Sequence, residues 1–216
     1  MNKYKEVYIL GIGGSGMSSI AKYLVQQNID VAGYDQRKSF ITNQLNQDGI
    51  KVDFNLSNLK YSKKILYIYS SAISINETTL KDYLDSDNVL SRPEFLNILS
   101  KENKIIGITG THGKTSTTAL LAHIFHYNER NVSYIFGGIT SFHGIGGHYG
   151  DQDQPIILET DEMIFLSMSS FFERKFENSD SNPEFDIFNS SLNINLIKKR
   201  LQALELKKIW FLKLLY

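Results

Sequence analysis

The chain has 216 residues, with 23 basic and 23 acidic side chains and no cysteine. Its 42% hydrophobic and 12% aromatic content is sufficient for a packed core, which excludes a wholly disordered or collagen-like chain. The balanced charge argues against a protein that mainly coats nucleic acid or anionic membrane, because both tasks need an excess of basic residues. The lack of cysteine excludes a disulfide scaffold, a thiolate zinc site and a cysteine nucleophile.

The first hundred residues alternate between short apolar runs and segments with the spacing of one helical face. Ser91 and Pro93 are typical of a helix start, because a serine can cap the first turn and proline fits into it. Alternation of this kind predicts a parallel sheet covered by helices on both faces. The predicted strands are 6–10, 31–34 and 64–69, and the predicted helices are 17–27, 41–47, 76–84 and 93–99.

A second unit is predicted to begin near residue 101. Its predicted strands are 104–109, 132–136 and 155–159, with a helix at 114–127 and a glycine-rich loop at 139–154. Beyond residue 162 the alternation stops, and the spacing of apolar residues predicts a terminal helix over 196–215. No stretch reaches the ~18 uninterrupted apolar residues of a membrane span, so we expect no membrane insertion and a cytoplasmic location.

A glycine-rich sequence, GIGGSG at residues 11–16, follows the first predicted strand and opens the first predicted helix. It matches G-x-G-x-x-G, in which glycines permit a tight turn and bring backbone N–H groups and a helix N-terminus close to a diphosphate. Asp35 follows the second predicted strand, where its carboxylate could accept hydrogen bonds from a ribose or sugar hydroxyl. Three interpretations stay open here: a sugar nucleotide, NAD in an oxidoreductase, and a turn that binds no ligand.

A second glycine loop, GTHGKTS at residues 110–116, again follows a strand and opens a helix. Its backbone donors could surround a triphosphate, Lys114 could contact the β- and γ-phosphates, and the Thr115 hydroxyl could bind Mg²⁺. The general P-loop pattern has a glycine at the position of Ile108, so the match to that pattern is incomplete. The sequence G-x-x-G-K-T between a strand and a helix still predicts a nucleoside triphosphate site; the alternative is a turn without a ligand.

An acidic sequence, ETDE at residues 159–162, follows the last predicted strand. Carboxylates at this end of a parallel strand point toward the crevice where α/β proteins bind ligands. Mg²⁺ prefers oxygen ligands and retains several waters, so Glu159 is predicted as a second metal contact beside Thr115. The alternative is a solvated acidic turn.

The two loops in this order, GIGGSGMS and GTHGKT, resemble those of the Mur ligase family. Three further stretches agree in order and spacing: SSAI at 70–73 followed by Asn76-Glu77, Arg92-x-Glu94-x-Leu96, and Glu159-x-Asp161-Glu162. The resemblance covers about residues 4–162, three quarters of the chain. Within the family, His112 and the sequence GIGGSGM favour the ligases that join L-alanine to UDP-N-acetylmuramate over those that recycle a tripeptide.

The resemblance implies an α/β fold in two parts: a Rossmann-like parallel-sheet domain over residues 1–100 that binds the UDP substrate, and a partial P-loop ATPase domain over residues 101–162. It implies an ATP-dependent ligase of peptidoglycan synthesis. In that reaction ATP phosphorylates the carboxylate of UDP-N-acetylmuramate, and the amino group of L-alanine displaces phosphate from the acyl phosphate. ATP and Mg²⁺ are the implied cofactors, and nucleic acid is not an expected partner.

The resemblance also assigns roles residue by residue. Lys114 is the implied catalytic residue, since it would neutralise charge on the transferred phosphoryl group. Thr115 and Glu159 are the implied Mg²⁺ ligands. The residues implied in ATP binding are Gly110, Thr111, His112, Gly113, Lys114, Thr115 and Ser116. The residues implied in binding the UDP substrate are Gly11, Ile12, Gly13, Gly14, Ser15, Gly16, Met17, Ser18, Asp35 and Ser71.

The chain departs from the family pattern in three places. Where the family has G-x-N-A before the acidic strand, this chain has GIGG at 144–147, so an asparagine expected to touch the sugar nucleotide is missing. An N-x-x-x-D-H element that supplies another metal ligand is not found after residue 162. The third, amino-acid-binding domain of the family is not found either. Residues 163–216 are therefore expected to be a divergent or frameshifted tail, and the chain a truncated form that does not ligate.

Three alternatives stay open. The chain is a genuine short protein with a new terminal helix, or a nucleotide-binding module without catalysis, or an NAD-dependent oxidoreductase. The last leaves the sequence GTHGKT unexplained.

Overall fold

A computed structural model describes residues 3–110, 112–141, 143–160, 187–189 and 209–214. The first part of the chain forms a five-stranded parallel sheet with strand order β3-β2-β1-β4-β5, which confirms the predicted α/β class. Its strands are β1 (Glu6–Leu10), β2 (Asp30–Tyr34), β3 (Lys51–Asp53), β4 (Ile65–Tyr69) and β5 (Val89–Ser91). Its helices are α1 (Ser15–Val25), α2 (Phe40–Gln47) and α3 (Arg92–Glu102).

The second part of the chain forms a six-stranded sheet with strand order β10-β11-β6-β9-β7-β8. All neighbouring strands are parallel except β7 and β8, which form an antiparallel hairpin at one edge. Its elements are β6 (Ile105–Gly110), α4 (Lys114–Tyr127), β7 (Ser133–Thr140), β8 (Gly144–His148), β9 (Ile156–Glu159), β10 (Ile187–Asn189) and β11 (Ile209–Leu214). In the described part of the chain, no helix is both long and apolar enough to cross a membrane.

The start of α3 confirms the predicted cap. The Ser91 hydroxyl accepts a hydrogen bond from the Glu94 N–H, and the Glu94 carboxylate accepts one from the Ser91 N–H at 2.7 Å. This reciprocal arrangement satisfies two backbone donors that the first helical turn leaves without partners. Pro93 lies in the same turn, where a missing N–H costs nothing.

The helix predicted over 76–84 is wrong. The structure has two short 3₁₀ helices, Ile75–Glu77 and Lys81–Tyr83. The Thr78 hydroxyl donates to the Ile75 carbonyl and accepts from the Leu80 N–H, so local side-chain hydrogen bonds replace those of an α-helix.

Two predictions for the second part of the chain are also wrong. The predicted loop 139–154 contains the end of β7 and the whole of β8, a strand that the glycine content concealed. The predicted terminal helix 196–215 is a strand over Ile209–Leu214, while 196–208 and 215–216 lie outside the described residues. The sequence IWFLKL suits a strand because isoleucine and aromatic residues favour the pleated conformation. This strand pairs with β6 along its full length.

Helix α1 is buried between the two sheets. Five consecutive residues of α1, from Met17 to Ala21, are buried, which is more than the single face that a surface helix buries. One hydrophobic cluster joins side chains of both parts of the chain around this helix. It includes Ile9 of β1, Ile20 and Leu24 of α1, Leu99 of α3, Ile135 of β7, Ile145 of β8 and Leu158 of β9.

Candidate nucleotide-binding site

The first glycine loop lies at the carboxyl end of β1, where it turns directly into α1. Gly11 has φ +80, a left-handed conformation that glycine adopts without strain. The N–H groups of Gly11 and Ile12 both donate to the Tyr34 carbonyl of β2, at 2.8 and 3.0 Å, and the Gly14 N–H donates to the Gly11 carbonyl. The loop is therefore a fixed turn anchored on the neighbouring strand.

Only part of the predicted UDP-binding set is available to a ligand. The side chains of Ile12, Met17 and Ser18 are buried in the protein, whereas Gly14 and Ser15 are exposed. Ser15 and Gly16 lie in the first turn of α1, where backbone N–H groups have no carbonyl partners within the helix. These two N–H groups, at the positive end of the helix dipole, are the ones best placed to donate to a diphosphate.

Asp35 contacts the loop itself. Its Oδ2 accepts a hydrogen bond from the Gly13 N–H at 2.9 Å, and its Oδ1 accepts one from the Arg37 N–H at 3.1 Å. The carboxylate thus holds the middle of the loop in place. Ser71 is exposed in the turn after β4, and the N–H of its neighbour Ser70 donates to the Leu10 carbonyl, so both lie at the same sheet edge as the loop.

The second glycine loop connects β6 to α4. Gly113, the residue before α4, has φ +73, again a conformation that suits glycine. The Lys114 ammonium donates to the Gly110 carbonyl at 2.7 Å, so the side chain folds back across the loop. His112 and Ser116 are exposed, and Thr111 lies outside the described residues.

The structure brings together the two predicted magnesium ligands. The Thr115 hydroxyl donates to Oε1 of Glu159 at 2.7 Å, and Oε2 of the same carboxylate accepts from the Gly137 N–H at 2.7 Å. A hydroxyl and a carboxylate at the end of a phosphate loop fit Mg²⁺, which takes one or two protein oxygens and completes its shell with phosphates and water. The described residues hold no cluster of three or more His, Asp or Glu suited to a metal.

Gly137 and Gly138 of β7 lie at the candidate site, although they belong to neither of the two glycine motifs. The register of β7 and β8 shifts between Ile135 and Ile139, so the two glycines lie in a bulge. A bulge frees backbone groups from the strand ladder, and here the Gly137 N–H donates to Glu159 instead. A Cβ on Gly137 would lie 3.0 Å from the Ser15 hydroxyl oxygen, so the first loop and the magnesium end of the second meet at this residue. The sequence signal was the pair of adjacent glycines after an apolar strand.

The departure from the family pattern at 144–147 has a structural reason in this chain. A Cβ on Gly147 would lie 1.9 Å from the Ser19 carbonyl oxygen of α1, and a Cβ on Gly146 would lie 2.6 Å from the Phe136 carbonyl oxygen. Both distances are far below van der Waals contact. Residues 146 and 147 therefore accept no side chain while α1 and β8 keep their present separation.

The histidines with shifted pKa values lie next to the β7–β8 hairpin, outside both loops. The rings of His143 and His148 stack with centroids 4.1 Å apart, and the His126 ring lies edge-on to His143. Burial lowers the pKa of His143, and burial together with the neighbouring histidines lowers the pKa of His148 to about 4. A hydrogen bond of 2.6 Å joins His143 Nδ1 to the Tyr134 hydroxyl, whose pKa is raised by burial. The ring contacts and this hydrogen bond connect the two strands of the hairpin to each other and to α4.

Comparison with known proteins supports the resemblance. A family model described as the Mur ligase family, catalytic domain, matches residues 6–104. The UDP-N-acetylmuramate–L-alanine ligase of Cytophaga hutchinsonii is 37% identical over 175 residues, which are 76% of this chain and 38% of that protein. The ligase of the same name from Hydrogenobaculum sp. is 34% identical over 78% of this chain and 38% of its own length. The chain thus spans a little over a third of the length of these curated relatives.

Solved structures of Mur ligases have a similar fold. The UDP-N-acetylmuramate–alanine ligase MurC of Thermotoga maritima has a TM-score of 0.64 and 27% identity, covering 73% of this chain and 37% of that one. The UDP-N-acetylmuramate:L-alanyl-gamma-D-glutamyl-meso-diaminopimelate ligase of Neisseria meningitides has a TM-score of 0.66 at 19% identity, covering 97% of this chain and 78% of that one. This second likeness concerns the fold alone. With two curated ligases above 30% identity over three quarters of its residues, and with the same fold as a solved ligase, this chain belongs to the Mur ligase family.

Proposed function

We propose that this chain supplies the two nucleotide sites of an ATP-dependent ligase that joins L-alanine to UDP-N-acetylmuramate in peptidoglycan synthesis. The glycine loop at 11–16 binds the diphosphate of the sugar nucleotide, and the loop at 110–116 binds ATP with Mg²⁺. The observation that supports this most directly is the contact of Thr115 with Glu159 at the point where the two loops meet.

The chemistry follows from this placement. Transfer of a phosphoryl group needs mainly positioning and neutralisation of negative charge. Lys114 supplies a mobile positive charge, since its present partner is an uncharged carbonyl that a phosphate can replace. Thr115 and Glu159 would hold Mg²⁺, which would supply the remaining charge neutralisation.

The carboxylate of the sugar nucleotide approaches from the other loop. Ser15, at the start of α1, lies against Gly137, whose N–H orients Glu159. A diphosphate on the first turn of α1 therefore places the rest of its substrate beside the magnesium end of the ATP site. The acyl phosphate formed there has an activated carbonyl carbon, which an amine attacks with loss of inorganic phosphate.

A second candidate is a nucleotide-binding module without catalysis. It uses the same two loops for binding but needs no phosphoryl transfer. Both candidates require binding of UDP-N-acetylmuramate and of ATP with Mg²⁺, and only the ligase requires turnover.

Two measurements on the chain separate these candidates. Titration calorimetry measures binding of UDP-N-acetylmuramate and of Mg-AMP-PNP, a non-hydrolysable ATP analogue. A coupled assay measures phosphate release with UDP-N-acetylmuramate, L-alanine and Mg-ATP. Binding with alanine-dependent phosphate release supports the ligase, binding without release supports the module, and failure to bind either nucleotide contradicts both.

Variants with matched controls test whether Lys114 and Glu159 contribute to nucleotide binding. Lys114→Ala and Glu159→Gln should each weaken binding of Mg-AMP-PNP by about tenfold or more, since each removes a charge from the phosphate or cation contact. Lys104→Ala and Glu6→Gln change the same residue types at exposed positions on the amino side of β6 and β1, opposite the loops. Equal effects in the test and control variants would contradict the assignment.

A further inference from the structure

The two loops are connected by a short chain of contacts. Ser15, in the first turn of α1, lies against Gly137 of β7, and Gly137 donates to the Glu159 carboxylate that accepts from Thr115. A Cβ on the adjacent Gly138 would lie 2.9 Å from the Thr115 methyl carbon, so β7 also touches the start of α4 directly. Both helix N-termini therefore pack against the same bulge.

Ser19 fixes α1 to this bulge. It is fully buried, and its hydroxyl oxygen lies 2.5 Å from the Phe136 carbonyl oxygen and 2.7 Å from the Ser15 carbonyl oxygen. One hydroxyl proton is thus shared between α1 and β7, one residue before Gly137. Its position ties Ser15, at the diphosphate end of α1, to the strand that orients Glu159.

Helix α1 also packs closely against β8, the other strand of the hairpin. The backbone of Ser19 packs against Gly147 so closely that a Cβ there would lie 1.9 Å from the Ser19 carbonyl oxygen. The β7–β8 hairpin therefore follows α1 when that helix moves. A change at the N-terminus of α1 reaches Glu159 through packed backbone and one hydrogen bond.

We propose that Ser19 is a positioning residue that couples the two nucleotide sites, so that a nucleoside diphosphate sugar at the first loop strengthens binding of a magnesium nucleoside triphosphate at the second. This inference rests on the proposed function, because it requires both sites to bind. The ligand on α1 fixes Ser15, and through Ser19 and Gly137 it fixes the Glu159 carboxylate. The second ligand then orders fewer groups when it binds.

The coupling has a measurable size. Couplings between sites in proteins commonly change affinity by about 5–150-fold, and one hydrogen bond with one close contact places this one near the lower end. We expect UDP-N-acetylmuramate at saturation to tighten binding of Mg-AMP-PNP by about fivefold. Linkage requires Mg-AMP-PNP to tighten binding of UDP-N-acetylmuramate by the same factor.

The test is a thermodynamic cycle on the full chain by titration calorimetry. Each ligand is titrated with and without saturating amounts of the other, in the parent protein and in Ser19→Ala. The control is Ser100→Ala, which makes the same change at a buried serine whose hydroxyl donates within α3, to the Asn97 carbonyl. Thermal unfolding of each variant checks that the titrations are made on folded protein.

We expect a coupling of about fivefold in the parent protein and in Ser100→Ala. In Ser19→Ala we expect a coupling of less than twofold. The affinity of Ser19→Ala for each ligand alone should change little. A purely structural role of Ser19 would lower the unfolding temperature and leave the coupling factor intact, which would overturn the proposal. If Ser19→Ala does not fold, Ser19→Cys provides the same test, since a thiol of similar shape donates only weakly to the Phe136 carbonyl.

Failure of this inference differs from failure of the proposed function. If both ligands bind the parent protein with the same affinity in the presence and absence of each other, the coupling is refuted and the two sites remain. If neither ligand binds, the proposed function is refuted and the coupling with it.

Discussion

Substitution of Gly147 by alanine tests the packing of α1 against β8. The new Cβ would lie 1.9 Å from the carbonyl oxygen and 2.9 Å from the Cα of Ser19, so the two backbones must separate by about 1 Å to reach the closest contact that real Cβ atoms make. Overpacking of a core costs about 1–3 kcal/mol and occasionally more. Because the obstacle here is helix backbone and not the end of a flexible side chain, we expect a loss of about 3 kcal/mol.

Thermal unfolding followed by circular dichroism measures this loss. In a chain of this length, about 3 kcal/mol corresponds to a fall of about 6–12 °C in the unfolding midpoint. Gly49→Ala is the calibrating control, because Gly49 has φ +83 and open space where a Cβ would lie. It should cost about 1 kcal/mol from backbone strain alone. A midpoint for Gly147→Ala no lower than that of Gly49→Ala would refute the close packing of α1 on the hairpin.

Three further predictions concern other parts of the chain. The pKa of His148 is lowered from 6.5 to about 4. Between pH 6.5 and pH 4, His148 is therefore protonated in the unfolded chain and neutral in the folded protein. The free energy of unfolding should fall by about 1–2 kcal/mol as the pH decreases from 6.5 to 4, after allowance for the half-exposed ring, and the fall should shrink in His148→Gln. Asp35→Ala removes the acceptor of the Gly13 N–H and should weaken binding of UDP-N-acetylmuramate by about tenfold in calorimetry. An unchanged affinity would contradict the role of Asp35 in holding the loop. Phe211→Pro removes a backbone donor from β11, between β6 and β10, and should cost about 3 kcal/mol in thermal unfolding; an unchanged midpoint would contradict the strand pairing.

The elements around the two loops could be predicted from the sequence because their signals are local. A strand of apolar residues, a glycine turn and an amphipathic helix occupy consecutive positions, and α4 was predicted with the bounds that the structure has. The contact between Thr115 and Glu159 was also predictable, since Thr115 follows β6 and Glu159 ends the adjacent parallel strand β9 at the same sheet edge. The roles assigned to these residues in binding ATP and Mg²⁺ stay predictions.

The elements that the sequence did not indicate depend on contacts between distant residues. Strand β8 contains three glycines, which favour loops in isolation, yet it pairs with β7. Glycine at 146 and 147 lets the backbones of β7 and α1 approach it closely. Strand β11 has the lysine and apolar spacing of a helix, yet it pairs with the full length of β6. In both cases the neighbouring strand decides the conformation against the local preference.

The burial of α1 limits how far the two parts of the chain act as separate domains. All strands of the first sheet precede residue 92 and all those of the second follow residue 104. Each sheet therefore takes its strands from one side of the division predicted near residue 101. Yet α1 is buried over consecutive positions 17–21, because β1 and β2 cover one side and the β7–β8 hairpin covers another. Without the hairpin, Ile20 and the side of α1 that packs against β7 and β8 would face water. The first glycine loop, which opens α1, therefore depends on the second sheet for its shape.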